Sequence, residues 1–243
     1  MRESRRVRLL VVSALAALYQ FGTPAAQAVS PPPIDERWLP EPAAPRSPQP
    51  TVQREVCAAV SPSSGEPGRG RHQLADLDLP QVWQLSRGTG QRVAVIDTGV
   101  SRQRRLPNVV PGGDYVSTGD GTQDCDAHGT VVAGIIAAAT DSKADGFSGV
   151  APDATLISIR QSSAKFAPAT DRSGAGVGDV DTMAKAVRTA ADLGALVINI
   201  SSVACVSAAS VLDDRALGAA LAYAVDVKNA VVVAPAGNTG GGA

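Results

Sequence analysis

Three short polar motifs, each beside an apolar run, hold the residues of this chain whose types could do chemistry. Asp97 follows Val93-Ala94-Val95-Ile96 and precedes Thr98-Gly99, His128 opens His128-Gly129-Thr130, and Asn238 closes Pro235-Ala236-Gly237-Asn238. A carboxylate can orient an imidazole and stabilise its charged form while the imidazole takes a proton from a hydroxyl nucleophile. Asp97 suits the orienter. His128 suits the general base, because histidine titrates near neutral pH and the glycine that follows permits close backbone approach. The other histidine, His72, sits beside a loop-like stretch without such a context. Asn238 adds a neutral side-chain donor for a developing oxyanion, a contact whose loss typically removes about 2.7 to 4 kcal/mol of transition-state stabilisation. Singly, each motif is an ordinary turn or cap. In this order, each at an element boundary, they describe nucleophilic acyl transfer, although no recognisable nucleophile motif follows them before Ala243.

The elements that must position these residues alternate between strand and helix. Arg92 to Ile96, Thr155 to Ile159, Leu196 to Ile200 and Ala230 to Ala234 are short runs rich in β-branched or other apolar residues and are predicted strands. Between them, His128 to Thr140 is apolar and small enough for a buried helix. Asp179 to Leu193 places Val180, Met183, Ala184, Val187 and Ala191 on one helical face, and Asp213 to Val227 is a further helix. Nearly all-apolar strands separated by helices predict an α/β fold with a mostly parallel sheet covered on both faces. Sites in such sheets form at the carboxyl ends of the strands. Asp97-Thr98-Gly99, Asn199-Ile200-Ser201 and Pro235-Ala236-Gly237-Asn238 would then share one rim.

Before this domain the composition changes. Arg2, Arg5, Arg6 and Arg8, the apolar run Leu9 to Leu18 and Ala26-Gln27-Ala28 read as the positive, apolar and cleavage regions of a signal peptide over residues 1–28, so the expectation is export. The apolar run is about half of the roughly 20 residues that a spanning helix needs, which argues against an uncleaved anchor. Residues 29–76 form a predicted extension. Eight prolines lie between positions 31 and 50 (Pro31, Pro32, Pro33, Pro40, Pro42, Pro45, Pro48, Pro50), so the stretch cannot build a core. Ile34, Trp38 and Leu39 within it are apolar anchors that favour an arm docked on the domain of residues 77–243. With 44% apolar residues and a net charge of −1, the chain suits a globular core and carries no electrostatic footprint for nucleic acid.

The motifs from Trp83 to Asn238 resemble the subtilisin-like serine proteases, in which Asp, His, the oxyanion Asn and then Ser follow in that order. Val93 to Val100 is similar to the family's Asp motif, His128 to Ala137 to its His motif, Val197 to Ser201 to the strand lining the substrate cleft, and Ala236-Gly237-Asn238 to its oxyanion segment. The resemblance implies a subtilisin-like three-layer fold, incomplete at the C-terminus, and a serine endopeptidase acting on polypeptide. Asp97 and His128 would be catalytic, Asn238 the oxyanion donor, and Ser201, Ser202, Ala236 and Gly237 substrate-binding. The chain as written stops before the segment where the family places its serine, and is therefore expected to be inactive alone.

A narrower resemblance is to the mycosins, membrane-anchored subtilases of actinobacterial type VII secretion systems. It rests on the signal peptide, the Pro-rich extension, Asp124-Cys125-Asp126-Ala127-His128, and Asn199-Ile200-Ser201-Ser202-Val203-Ala204-Cys205, where many subtilases carry Ser-Leu-Gly-Gly. It implies a type VII secretion membrane complex as partner, a cell-envelope location, and a membrane anchor beyond Ala243. The alternative function it permits is a catalytically silent subtilase serving as a structural component of a secretion complex.

An exported chain meets an oxidising space, which turns attention to Cys57, Cys125 and Cys205. Three cysteines leave one free or paired with a residue outside the chain. The mycosin resemblance implies that Cys57 bridges Cys125 and that Cys205 pairs beyond the oxyanion loop. Zinc bound by Cys125, His128 and an aspartate is the competing reading, disfavoured because no paired Cys-x-x-Cys or His-x-x-x-His lies nearby. No cofactor is expected, and no acidic cluster has the spacing of a dedicated calcium loop. An aspartic protease would need two carboxylates sharing a proton. One Asp-Thr-Gly occurs here, and the predicted helices oppose that all-β fold.

Overall fold

A computed structural model of the chain describes residues 34–59, 74, 77–141, 147–171, 176–203 and 212–237. Five strands, β2 (Arg92–Asp97), β3 (Val109–Asp114), β4 (Thr155–Arg160), β6 (Val197–Ile200) and β7 (Val231–Val233), form one sheet in the order β3-β4-β2-β6-β7. Every pairing within it is parallel, so all five carboxyl ends lie on one rim. Two short strands, β1 (Thr51–Gln53) and β5 (Phe166–Pro168), make a separate antiparallel ribbon. The helices are α1 (Leu79–Val82), α2 (His128–Ala137), α3 (Val180–Asp192) and α4 (Arg215–Ala222), the last running on into a π-helical turn, Tyr223–Val227.

The sheet is the middle of three layers. On one face Ala94, Ile96, Ile157, Ile159 and Ile198 pack with Met183, Ala184, Val187 and Ala191 of α3 and Ala220 of α4. On the other, Val93, Val95 and Leu156 pack with Ala133 and Ala137 of α2. Successive side chains of a strand point to opposite faces, and both faces of β2 and β4 are buried. This is why those strands are apolar throughout rather than alternating. The α/β subtilisin-like expectation holds, with predicted strand and helix limits met to within a few residues. One predicted helix differs most: Asp213 to Val227 is α-helical over Arg215–Ala222 only and then widens into the π turn.

Two elements carry no clear mark in the sequence. Strand β3 reads Val-Val-Pro-Gly-Gly-Asp, which looks like a turn, yet it occupies the sheet edge, where a proline leaves no central ladder bond unmade. Its register shifts between Pro111 and Gly113, a bulge that turns Gly113 to φ +119° and brings it against Pro45 of the arm. The β1–β5 ribbon is unmarked because three-residue strands carry almost no periodicity.

The Pro-rich arm is docked, through two of its three apolar residues and a set of polar contacts. Ile34 and Trp38 stay largely exposed while Leu39 packs on the α3 side of the core. The Arg215 guanidinium stacks 3.7 Å from the Trp38 ring centre, and Arg188 Nη1 donates to the Pro40 carbonyl at 3.1 Å. Farther on, the Thr51 hydroxyl donates to the Val116 carbonyl at 2.6 Å and β1 pairs with β5. The arm ends at a disulfide between Cys57 and Cys125, three residues before His128. That bridge is the pairing the resemblance implied, and it removes Cys125 as a zinc ligand.

Candidate active site

Asp97 is the last residue of β2. It shares the sheet face of Val93 and Val95, the face that α2 covers, so its carboxylate is directed toward the start of that helix, where His128 sits. His128 Nδ1 lies 2.7 Å from Asp97 Oδ1. The same oxygen accepts the Thr98 backbone N–H at 2.7 Å. Asp97 is 1% exposed, whereas the His128 side chain is 59% exposed, which leaves one side of the ring open to solvent. A buried acid holding an accessible imidazole is the arrangement that a base needs to reach the hydroxyl of a nucleophile. Close approach of β2 and α2 requires glycine: a Cβ on Gly129 would overlap the Gly99 carbonyl and crowd Asp97.

The residue that seats α2 is one that the motifs do not single out. Position Ala127, before the helix, has φ +68° and no side chain able to cap. Asp124 does the capping from three residues farther back. Its Oδ1 accepts from Thr98 Oγ1 at 2.9 Å, Ala127 N at 2.8 Å and Asp126 N at 3.1 Å, and its Oδ2 from Thr130 N at 2.8 Å and Thr130 Oγ1 at 2.6 Å. Thr98 Oγ1 in turn accepts from Gly129 N at 2.9 Å. One carboxylate thereby satisfies orphan donors of the helix start and ties them to the strand end that carries Asp97. An aspartate ahead of a helix is the available signal in the sequence, displaced by a positive-φ residue from its usual place. Asp126 makes a second tie, accepting from the Ser163 hydroxyl and from Ala164 N at 2.8 Å.

Residues 88–243 match the peptidase S8 Subtilase family. The chain belongs to the subtilase family. Within it, the chain is 75% identical to Mycosin-4 of Mycobacterium tuberculosis (strain ATCC 25618 / H37Rv), an alignment covering 100% of this chain and 54% of that protein. Identity to Mycosin-3 of the same strain is 45%, over 97% of this chain and 52% of that one. Among solved structures it resembles the MycP3 protease from the type VII (ESX-3) secretion system, with a TM-score of 0.73 and 49% identity over 84% of this chain and 56% of that chain. It also resembles a chain of an intact ESX-5 inner membrane complex, with a TM-score of 0.77 and 44% identity over 86% of this chain and 52% of that chain. The chain spans about half the length of the curated relatives it matches.

The remaining expected site residues of this subtilase are divided. Asp97 and His128 are brought together. Ser201 and Ser202 follow β6 on the same rim and are half-buried, with Asn199 Nδ2 donating to Ser201 Oγ at 2.8 Å. Ala236 and Gly237 follow β7, also toward that rim, and are exposed. Gly237 has φ +126°, a conformation that favours glycine. Asn238, His72 and Cys205 lie outside the described residues. No helix among the described residues is long and apolar enough to cross a membrane.

Proposed function

We propose that the complete protein is a subtilisin-type serine endopeptidase of a type VII secretion system, with Asp97 and His128 as two members of its catalytic triad. The observation that carries this reading is the 2.7 Å contact between His128 Nδ1 and the buried Asp97 carboxylate at the carboxyl rim of a parallel sheet. Asp97 holds the tautomer with the proton on Nδ1, so Nε2 offers its lone pair to a serine hydroxyl. As that hydroxyl attacks the scissile carbonyl, Nε2 takes its proton, and Asp97 stabilises the resulting imidazolium. The same proton then passes to the leaving amine, and a water molecule activated in the same way releases the acyl group. Asn238 donates to the tetrahedral oxyanion. Ser201, Ser202, Ala236 and Gly237 border the extended substrate, and the nucleophile is a serine downstream of the oxyanion segment.

The reading extends to place and processing. Residues 1–28 are a signal peptide, 29–76 the extension and 77–243 the first part of the catalytic domain, and the protein works in the cell envelope. In support, similar chains belong to the periplasmic assembly of the ESX-5 inner membrane complex. That similarity also favours a second role, as a structural component of such a complex. Labelling the complete gene product with a fluorophosphonate probe tests the first reading. Covalent labelling that disappears in His128→Ala is expected. A folded complete product that takes no label would rule out the peptidase and leave the structural role.

A further inference from the structure

One row of the sheet carries three charges. At the carboxyl ends of β2, β4 and β3 the register sets Asp97 beside Arg160 and Arg160 beside Asp114. All three share the α2 face: Asp97 and Arg160 alternate in step with Val93 and Leu156, which pack with Ala133 and Ala137, and the bulge between Pro111 and Gly113 brings Asp114 into register with Arg160. They are 1%, 3% and 1% exposed respectively, and charges this deep require compensation. Asp114 has it. Its Oδ1 accepts from Val116 N at 2.7 Å and Ser117 N at 2.8 Å, and its Oδ2 accepts from Gly119 N at 3.2 Å and faces Arg160 Nη1 at 3.5 Å. Arg160, stacked 4.4 Å from the centre of the Phe166 ring, has no partner for Nε or Nη2, and Asp97 has none for Oδ2. Residues with unmatched donors on β4 and an unmatched acceptor on β2 are thus register partners on adjacent strands, whose backbones run about 4.8 Å apart.

We propose that Arg160 is a positioning residue for the Asp97–His128 pair, its guanidinium acting as the counter-charge that orients the buried Asp97 carboxylate across one bound water. Its catalytic meaning rests on the protease reading; its physical test does not. With a neutral imidazole, Asp97, Arg160 and Asp114 together bear one net negative charge, which protonation of His128 cancels. Removing the Arg160 charge leaves two buried carboxylates to hold the imidazolium more strongly. Removing the Asp114 charge does the reverse. Among the described residues, Asp124 and Asp126 from the loop before α2 and Arg102 from the segment after β2 also carry charge near the site, and they are the same in every variant.

The test is a pH titration of the His128 ring carbons by NMR in the complete protein and its Arg160→Met, Arg160→Lys and Asp114→Asn variants. In Arg160→Met the midpoint is expected to rise by about half a unit or more. Arg160→Lys should stay near the parent, and Asp114→Asn should move the opposite way. Should Arg160→Met fail to fold, Arg160→Gln, which also removes the charge but keeps a polar side chain, decides the matter by the same rise. Superimposable curves for the parent and every folded charge-removing variant overturn the proposal. In parallel, the acid limb of kcat/KM should move in the same directions. A parent without peptidase activity would defeat the protease reading, and the ring titration would still decide whether Arg160 acts on the pair.

Discussion

The two faces of the sheet are built by different rules. On the α3 face the central helix follows its local rules: Asp179 caps it by accepting from Thr182 N at 2.7 Å while Thr182 Oγ1 accepts from Asp179 N at 3.1 Å. The inward side chains are apolar, and the outward ones pair as Arg188–Asp192 and Lys228–Asp192. On the α2 face the rules conflict. The helix has no cap of its own and no acidic or basic side chain besides His128, and it exposes Val131 and Ile135 while Asp97, Asp114 and Arg160 are buried at the strand ends. Agreement between local and global preference makes for stability, and departures from it concentrate where function is placed. The α3 face stabilises the sheet, and the α2 face holds the proposed catalytic pair.

The sharpest challenge to that contrast is to set a mutation on one face against a mutation on the other. His128→Ala should lower kcat/KM of the complete protein by about 10⁴-fold or more with its unfolding midpoint little changed, because the ring is largely exposed. Ile157→Ala, fully buried on the α3 face, should cost about 2 to 5 kcal/mol of stability and leave the activity of the folded protein intact. Denaturant unfolding beside steady-state kinetics reads both, and a catalytic loss in Ile157→Ala as large as in His128→Ala would end the division of labour.

The disulfide gives a test on the α2 side. Cys57 and Cys125 are 68 positions apart, and opening a loop of that length should lower stability by about 4 kcal/mol in the chain-entropy model. Unfolding of the Cys57→Ser/Cys125→Ser protein measures it, and proteolysis should then cut the released arm first. A pH effect is expected on the α3 side, and it is the smallest. Burial pushes the Asp192 carboxyl up, but hydrogen bonds from Tyr223, Arg188 and Lys228 together hold it below the ordinary carboxylate value. Its folded value thus lies below the unfolded one, so its contribution is complete above the unfolded value and is lost as pH falls through the folded one. Melting curves taken between neutral and strongly acidic pH should show a shallower acid decline for Asp192→Asn than for the parent.

Much of this is legible in the residues. Val93 to Asp97 and Asp179 to Leu193 announce their elements because apolar spacing and a capping aspartate are local properties, and Asp97 and His128 stand out because their motifs lie at the ends of such elements. Strand β3 is hidden, since Pro111 and Gly112-Gly113 are tolerable in a strand only at an edge with a bulge, and the edge exists only once β4 is beside it. Asp124 is hidden because the hydrogen bonds it accepts come from the end of β2, the turn and the helix together. The alternation of strand and helix, and the order of Asp97 and His128 along the chain, each at the end of an element, are thus written in the residues alone. That the two meet 2.7 Å apart, that the arm is stapled beside them and that Arg160 lies next to Asp97 was settled in three dimensions. Those are matters of register and packing between segments distant in sequence, which no local preference encodes.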